Sequence, residues 1–222
     1  MIVVIDGPAG SGKSSTAKAV AANLQIQFLD SGALYRVATL VYLDANKDLP
    51  QFFDSLKESE ISFHFKQEKF HAFLNGRDVS DEIRSMEVSE HVSEVASNPD
   101  VRAFVNDLMH EIVKHDVYIA DGRDLGTAVF PNAALKFFMV ADLETRAQRR
   151  FKEVKAQGKD VTLEEVKQNI AGRDEIDSNR DSDPLKKAED AILVDTSEMT
   201  FKEQVAFISN KIEQLISTQK NN

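Results

Sequence analysis

Five short runs of consecutive apolar residues recur along the chain, and each is followed by polar residues. Short apolar runs without polar alternation are typical of strands buried on both faces of a parallel sheet. The segments between them repeat their apolar residues at helical spacing. Strands that alternate with helices predict an α/β fold with a doubly wound, five-stranded parallel sheet. We expect the strands at 2–5, 26–29, 117–120, 135–140 and 192–194.

Helical spacing predicts helices at 33–43, at 49–56 and at 81–96, and other helices carry explicit start signals. Asn98 can cap a helix whose first residue is Pro99. Thr162 and Glu165 have capping-box spacing, and the same spacing recurs at 200–203. We expect the last helix to pack through one stripe, which consists of Phe201, Val205, Ile208, Ile212 and Leu215.

The period changes in the segment 60–80, where apolar and polar residues alternate. Alternation is the pattern of a strand with one buried face, and Asn75-Gly76 is a turn signal. We therefore predict a small antiparallel insert here, separate from the core sheet.

Composition narrows the class of protein. The chain has 222 residues, of which 42% are hydrophobic, and it has no cysteine. No run of about 18 apolar residues occurs, so we expect no membrane span. The first residues already read as a core strand, which leaves no room for a signal peptide. We expect a cytoplasmic protein without disulfides or thiolate metal sites. A net charge of −10 argues against nucleic acid as a partner.

A glycine-rich stretch with the pattern G-x-x-x-x-G-K-S lies between the first strand and a helical pattern. Glycines let the backbone wrap around a phosphate, and the following helix adds free N–H groups and a partial positive charge. Lys13 supplies a cation, and Ser14 or Ser15 a hydroxyl for Mg²⁺. The alternative is a plain turn between a strand and a helix. We favour a nucleotide-binding loop made of Gly7, Pro8, Ala9, Gly10, Ser11, Gly12, Lys13, Ser14 and Ser15.

Polar residues follow three of the strands, at 6–7, 30–31 and 121–124, and the carboxyl ends of parallel strands meet at one edge of a sheet. On the helix after Thr162, an apolar stripe continues as Arg173, Asp177 and Arg180. Such a face suggests contact with an anion, and the alternative is a solvated helix with internal ion pairs. Phosphoryl transfer needs alignment and charge neutralisation more than covalent help. The arginines available for it are Arg36, Arg123, Arg173 and Arg180, with Arg146 and Arg150 opposite.

These residues carry a family resemblance. The stretches DGPAGSGKSS, DSGALYR, NGRDVSDEIR, ADGRDLGTAVFP and RDEIDSNR resemble, in order, the motif series of bacterial cytidylate kinases. The resemblance implies an adenylate-kinase-like P-loop nucleoside monophosphate kinase. It implies that ATP with Mg²⁺ is the phosphoryl donor and that CMP or dCMP is the acceptor, giving CDP or dCDP. The histidines lack metal-ligand spacing, and we assign them no role.

The resemblance also implies roles for individual residues. Arg36 and Arg123 match the arginines that hold the acceptor phosphate, and Arg180 matches an arginine near the phosphates. Asp121 matches a strand-end aspartate near the phosphates, where it supports the metal or an arginine. The expected catalytic set is Lys13, Asp121, Arg123, Arg173 and Arg180. The expected acceptor site also includes Ser31, Tyr35 and Arg36. Ser93, Arg102 and Asp124 match the set that reads cytosine, and Arg173 and Asp177 match the pair on the sugar. Arg146 and Arg150 are expected on ATP.

The implied organisation is a single kinase domain over 1–222. Its core comprises 1–30, 101–145 and 184–222, its acceptor region 31–100 with the insert, and its lid 146–183. Two positions depart from the family pattern. Ile176 stands where some relatives have a basic residue, and Asp183 stands where a neutral residue is more usual. Both lie in the predicted lid.

Two other classes of protein remain as alternatives. A GTPase-like switch would read guanine with Asn-Lys-x-Asp, and 210–213 reads Asn-Lys-Ile-Glu, but Ile212 belongs to a helical stripe. A small kinase for UMP or for a non-nucleotide acceptor, such as a sugar acid, would not need all the arginines together. Sequence alone does not decide between CMP, dCMP and UMP. We expect a monomer.

Overall fold

The computed structural model describes residues 1–66, 69–156, 158 and 160–220. Five strands form one parallel sheet in the order β2-β6-β1-β7-β8, which confirms the predicted fold class. Each strand lies within two residues of its predicted position. The strands are β1 (Ile2–Asp6), β2 (Gln27–Asp30), β6 (Tyr118–Gly122), β7 (Leu135–Val140) and β8 (Ile192–Asp195).

β1 is the central strand, and its register aligns the polar residues that follow the strands. Val3, Val4 and Ile5 have no exposed surface. Asp6 pairs with Gly122, and Asp30 pairs with Asp121. The carboxyl ends of β1, β2 and β6 therefore meet at one edge of the sheet, as expected for parallel strands.

Several helices begin at residues whose side chains satisfy their first N–H groups. Asp30 accepts from the backbone N of Ala33 at 3.0 Å, and Asn98 accepts from that of Asp100 at 2.9 Å. The helices are α1 (Lys13–Leu24), α2 (Ser31–Asp44), α3 (Leu49–Glu58), α4 (Met86–Ser97), α5 (Pro99–Ile112), α6 (Leu143–Ala156), α7 (Leu163–Asn179) and α8 (Phe201–Lys220). α1 packs against β6 and α8, and α2 packs against β6 and α4.

The segment predicted as an antiparallel insert forms a three-stranded sheet. Its strands are β3 (Ile61–Lys66), β4 (Lys69–Leu74) and β5 (Arg77–Asp78). Asn75 and Gly76, with φ of 52° and 76°, make the turn between β4 and β5. Phe28 of β2 contacts Phe70 edge-to-face at 5.8 Å, so the insert packs on the core sheet.

Two helix predictions were wrong. The segment 81–96 is not one helix, because Ser85 accepts from the backbone N of Val88 and starts α4 there, after a 3₁₀ turn at Glu82–Arg84. Phe201 does not belong to the buried stripe of α8. It is 53% exposed, because it is the first residue of the helix and points away from the core, whereas Ile208 and Ile212 are fully buried.

α6 and α7 pack against each other and share a small apolar cluster, which consists of Ala9, Ala147, Val166 and Ile170. The predicted capping box starts α7, since Thr162 accepts from Glu165 N and the Glu165 carboxylate accepts from Thr162 N. Ala9 belongs to the glycine-rich loop, so this cluster packs the helix pair onto that loop. Over the described ranges, no helix is both long and apolar enough to cross a membrane.

Candidate active site

The glycine-rich loop connects β1 to α1 through two tight glycine positions. A Cβ on Gly7 would lie 2.1 Å from the carbonyl oxygen of Met139 on β7, which no side chain can tolerate. Gly12 has a φ of 92° and is the N-cap of α1, and because it has no side chain it cannot cap the helix itself. The N–H groups of the first turn of α1 are therefore available to an anion, and the helix dipole favours negative charge there.

Asp174 of α7 links the loop to the helix pair. Its Oδ1 accepts from the backbone N of Ala9 at 3.0 Å, and its Oδ2 pairs with Arg146 of α6. Arg146 is 7% exposed and also donates to the carbonyl oxygens of Ala9 at 2.9 Å and Ala141 at 3.0 Å. The structure thus places Arg146, which the sequence assigned to ATP, behind the loop, where it holds the loop backbone.

A second set of contacts holds the loop from the side of β8. Arg149 donates to the carbonyl oxygen of Thr196 at 2.6 Å, and the Thr196 hydroxyl donates to the carbonyl oxygen of Ser11 at 3.2 Å. Ser11, a residue of the loop, is fully buried. Because these two sets of contacts bond the loop to the protein, its conformation is set before a ligand arrives, which reduces the free-energy cost of ordering the loop on binding.

Lys13 and Asp121 lie together at the base of the site, and both are nearly inaccessible. Burial, followed by the charge of Arg123, lowers the pKa of Lys13, and burial raises the pKa of Asp121. The Ser14 hydroxyl donates to Asp121 Oδ2 at 2.5 Å, whereas Ser15 is exposed. Asp121 Oδ1 has no hydrogen-bond partner among the described residues. Asp121 Oδ1 is therefore available to a further ligand.

A cleft of about 460 Å³ opens above the loop and extends toward α2, α4 and α7. It brings together most of the residues predicted from the sequence, from three strand ends and five helices. Besides the loop, its lining includes Ser31, Tyr35, Arg36, Ser93, Asp121, Arg123, Asp124, Arg150, Arg173, Asp177 and Arg180. Arg102 and Arg146 lie outside this lining, and Arg150 lies at its surface, paired with Glu153 at 3.1 Å.

Arg123 and Arg173 face the middle of the cleft in different electrostatic settings. Arg123 Nε donates to Asp177 Oδ2 at 2.6 Å, and this arginine offsets the effect of burial so that the pKa of Asp177 is lowered. Arg173 Nε is buried and has no partner among the described residues. Burial, and then the charges of Arg123 and Arg36, lower the pKa of Arg173 to about 10. The stripe on α7 is therefore not a solvated face, because it is buried against the cleft.

The wall formed by α2 carries Ser31 and Arg36. The Ser31 hydroxyl donates to the carbonyl oxygen of Asp121 at 2.6 Å, which ties α2 to the end of β6. Arg36 Nη1 donates to the carbonyl oxygen of Ile83 at 3.0 Å and to the Ser89 hydroxyl at 2.9 Å. Burial lowers the pKa of Arg36. Because both of these hydrogen-bond partners are neutral, the charge of Arg36 remains available to a ligand anion.

The far end of the cleft holds a network around Asp124, which is 4% exposed. Arg102 of α5 pairs with Asp124 Oδ2, and Arg180 donates to Asp124 Oδ1 at 2.9 Å. Arg102 also lies over the Tyr35 ring, at 5.8 Å from its centroid. Arg180 was expected on the helical stripe, but α7 ends at Asn179 and Arg180 is its C-cap. Ser93 lies on the lining of the same cleft.

Asp6 was not among the predicted site residues, yet it shapes the turn that carries Asp124. Its carboxylate accepts from the backbone N of Leu125 at 2.9 Å and of Gly126 at 2.7 Å. Burial outweighs these hydrogen bonds and raises the pKa of Asp6 to about 6. The position of Asp6 directly before the loop was a usable signal. Asp174, Arg149 and Thr196 were also missed, and only the Arg-Asp pair at 173–174 gave any local hint.

No histidine is among the described residues that line the cleft. His110 bonds the carbonyl oxygen of Val129 at 2.7 Å, and His71 pairs with Asp78 at 3.4 Å on the insert. In the part of the chain that the structure describes, no group of three His, Cys, Asp or Glu side chains is arranged to hold a metal by itself.

A pre-shaped phosphate loop at the edge of a parallel sheet, facing a cleft of arginines, defines a kinase of the P-loop class. The family model described as cytidylate kinase matches residues 3–214. The chain belongs to the cytidylate kinase family.

Two relatives illustrate how much of the chain the similarity covers. The chain is 44% identical over 220 residues to a cytidylate kinase of Fusobacterium nucleatum subsp. nucleatum, covering 97% of this chain and 98% of the relative. It is 42% identical over 209 residues to a cytidylate kinase of Carboxydothermus hydrogenoformans, covering 93% and 94%. The resemblance inferred from the motifs is thereby confirmed over nearly the whole chain.

Solved structures share the fold at lower sequence similarity. An uncharacterized protein from Eubacterium ventriosum superposes with a TM-score of 0.56 at 12% identity, covering 96% of this chain and 98% of that one. TT1252 from Thermus thermophilus superposes with a TM-score of 0.51 at 17% identity, covering 96% and 97%. These similarities support the α/β fold and nothing further.

Proposed function

We propose that the protein transfers the γ-phosphoryl group of ATP to CMP or dCMP, giving CDP or dCDP. The observation that carries the proposal is one cleft that joins the phosphate loop, Arg173, whose Nε has no partner among the described residues, and the network around Asp124. A donor site, a charge-stabilising centre and a polar site for a base are thus contiguous. The family membership of the chain supports the same reaction.

The loop and Lys13 would hold the donor. The free N–H groups of the first turn of α1 suit the β-phosphate, and Lys13 provides charge for the β- and γ-phosphates. Lys13 Nζ donates to the carbonyl oxygen of Pro8 at 3.1 Å, so it already lies along the loop. Burial lowers the pKa of Lys13, and the negative charge of a bound phosphate raises it again, so Lys13 keeps its ammonium form when the donor binds.

The donor set near the loop fits Mg²⁺. Asp121 and Ser14 supply a carboxylate and a hydroxyl oxygen, which are hard ligands of the kind Mg²⁺ prefers, and Asp121 Oδ1 has no partner among the described residues. Mg²⁺ commonly keeps few protein ligands and takes the others from phosphates and water. Bound with ATP, it would neutralise charge on the phosphate oxygens. We assign Ser14 to the metal, since Ser15 is exposed.

The acceptor would lie across the cleft from the loop. Arg36, Arg123 and Arg173 surround the middle of the cleft and suit its phosphate, and Asp177 beside Arg173 suits the sugar hydroxyls. The acceptor atom is a phosphate oxygen that is already anionic. No general base is therefore required, and the arginines contribute by aligning the phosphates and stabilising the charge of the transition state.

At the far end, Asp124 would accept a hydrogen bond from the amino group of cytosine, whereas uracil presents a carbonyl oxygen at that position. Arg102 can donate to the ring nitrogen and carbonyl of cytosine, and Ser93 can complete the set. A site that hydrogen-bonds one polar edge rejects the wrong analogue because its own buried groups would be left unpaired.

The other functional classes find less support. Ile212 is fully buried within α8, so the Asn-Lys-Ile-Glu stretch is part of a core helix and not a guanine-reading loop. A kinase for a non-nucleotide acceptor would leave the network of Arg102, Asp124 and Arg180 without a ligand.

We also infer the division of labour along the chain. Residues 146–183 would act as a lid and 31–100 as the acceptor region, on a core of 1–30, 101–145 and 184–222. The monomeric state and the cytoplasmic location stay predictions from the sequence, and sedimentation of the purified protein tests the first.

A steady-state assay with ATP and Mg²⁺ against CMP, dCMP and UMP tests the proposed function. We expect the highest kcat/KM for CMP or dCMP and a much lower value for UMP. Lys13→Ala should keep the thermal melt of a folded protein and lose turnover by on the order of 10²-fold or more. Equal turnover of the variant and the wild type, or a preference for UMP, would contradict the proposal.

A further inference from the structure

The segment that follows α7 folds back toward the cleft at Asp183. This residue has a φ of 48°, an uncommon value for a residue with a side chain, although aspartate tolerates it better than most. Its carbonyl oxygen accepts from Arg180 Nε at 2.9 Å and from Arg180 Nη2 at 2.5 Å. The backbone N of Leu185 donates to the carbonyl oxygen of Asp177 at 2.7 Å. These bonds fix where the Asp183 side chain points.

The Asp183 carboxylate reaches Arg102, which is 81 residues earlier in the chain and only 2% exposed. Its Oδ2 accepts from Arg102 Nε at 3.0 Å, while Arg102 Nη2 pairs with Asp124. Asp124 in turn accepts from Arg180 through its other oxygen. Two arginines and two aspartates form this network, so its charges balance. Burial lowers the pKa of Arg102, but the charges of Asp124 and Asp183 outweigh it and raise that pKa overall.

The geometry has a consequence for what Asp124 can still accept. A guanidinium can bind one carboxylate through two parallel N–H groups and thereby occupy both oxygens. Here the Nε edge of Arg102 is taken by Asp183, so Arg102 reaches only one oxygen of Asp124. A carboxylate oxygen can accept more than one hydrogen bond. Each Asp124 oxygen thus has one arginine donor, and Asp124, which lines the cleft, keeps capacity to accept a further hydrogen bond.

We propose that Asp183 is a positioning residue that keeps Asp124 able to accept from the amino group of the acceptor base. It does so by holding Arg102 Nε. The inference rests on the proposed function, because it assumes that the base of the acceptor lies at Asp124. Without the carboxylate of Asp183, Arg102 can donate from both Nε and Nη2 to Asp124, and it then uses the acceptor capacity that the amino group of the base needs. The site would also gain net positive charge, which favours the carbonyl oxygen of uracil over the amino group of cytosine.

Two variants separate the carboxylate from the backbone conformation. Asp183→Gly removes the side chain and relieves the strain of a positive φ. Asp183→Asn keeps a carbonyl oxygen that accepts from Arg102 Nε but removes the charge, and asparagine also tolerates this φ. Asp181→Asn, at an exposed position two residues earlier, is the matched control.

The measurement is kcat/KM for CMP and for UMP at saturating ATP, with KM for ATP as a second readout. We expect Asp183→Gly to lower the CMP-to-UMP ratio roughly tenfold, the effect of losing one charge-assisted hydrogen bond, mainly through KM for CMP. Asp183→Asn should fall between this variant and the wild type. KM for ATP should stay unchanged in both, and Asp181→Asn should match the wild type throughout.

The outcomes are distinguishable. An active wild type whose CMP-to-UMP ratio stays within twofold in both Asp183 variants would overturn this inference and leave the proposed function standing. A parallel loss of kcat for both acceptors would also overturn it, because Asp183 would then serve the lid and not the base. A wild type that transfers nothing to CMP would overturn the proposed function, and this inference with it.

Discussion

Arg173 is the pocket arginine whose replacement should separate function from stability most clearly. Its Nε is buried without a partner among the described residues, and its neighbours in the cleft include the like charges of Arg123 and Arg36. A charged group in that position is unfavourable in the free protein and becomes favourable when an anion arrives. We therefore expect Arg173→Met to abolish most activity without weakening the free protein.

The size of the effect follows from the pKa of Arg173, which burial and the two arginines lower from its ordinary value to about 10. Each pKa unit corresponds to about 1.4 kcal/mol, so the charged form carries a penalty of at most about 3 kcal/mol. Solvent screening reduces this figure, since Arg173 is not fully buried. Methionine keeps the apolar stem, and we expect the free energy of unfolding to rise by about 1 kcal/mol. Activity should fall on the order of 10²-fold or more.

The assay combines urea denaturation of the free protein with kcat/KM for CMP. Arg77→Met is the control, because Arg77 lies on the insert with its side chain 54% exposed and should change neither quantity. A ligand effect should accompany the result. Saturating ADP and CMP should stabilise the wild type more than Arg173→Met, since binding to the folded state adds to stability. A variant that is less stable by more than about 1 kcal/mol yet keeps kcat/KM within threefold of the wild type would refute the reasoning.

Three further predictions concern other parts of the cleft. Asp174→Ala should lower the free energy of unfolding by about 3 kcal/mol in urea denaturation, because it leaves the buried Arg146 without its carboxylate partner. Glu175→Ala, at an exposed position, should leave that free energy unchanged, and equal values for the two variants would contradict a supporting role of Asp174. Burial and Arg123 lower the pKa of Lys13 in the folded state, so between neutral pH and about pH 10 the unfolded chain binds more protons than the folded protein. The free energy of unfolding should therefore rise with pH over this range. Lys13→Met should show a smaller rise, and a pH profile identical to that of the wild type would contradict the lowered pKa of Lys13. Asp124→Asn should lower kcat/KM for CMP and narrow the gap to UMP, and an unchanged ratio would remove Asp124 from the base site.

The sheet could be predicted from the sequence because its signals are local. Each core strand is a short apolar run between turn residues, and the strand predicted at 135–140 has the observed bounds. The failures also have local causes. Ser85 competes as a helix cap within a segment that reads as one helix, and a stripe on a helical wheel cannot tell that Phe201 precedes the first buried turn.

The candidate site divides in the same way. The phosphate loop is contiguous in the sequence, and its motif predicts both its conformation and its place between β1 and α1. The supports of the loop are not contiguous. Asp174 reaches Ala9 from 165 residues away, and Thr196 reaches Ser11 from 185 residues away. Single aspartates and threonines occur throughout any chain, so only the fold shows which of them is placed to accept or donate.

The pairing of the arginines orders their roles. Arg146 pairs with Asp174 and Arg102 pairs with Asp124, and both of these arginines are more than nine-tenths buried. Arg146, whose charge is matched by Asp174, holds the loop backbone in place, and the removal of either partner would leave a charge without its counter-ion. Within the described part of the chain, Arg173 Nε has no partner, and the hydrogen bonds of Arg36 go to neutral groups only. The burial of these two cations is unfavourable until an anion fills the cleft. Their charge is therefore available to stabilise the negative charge of the transition state of phosphoryl transfer.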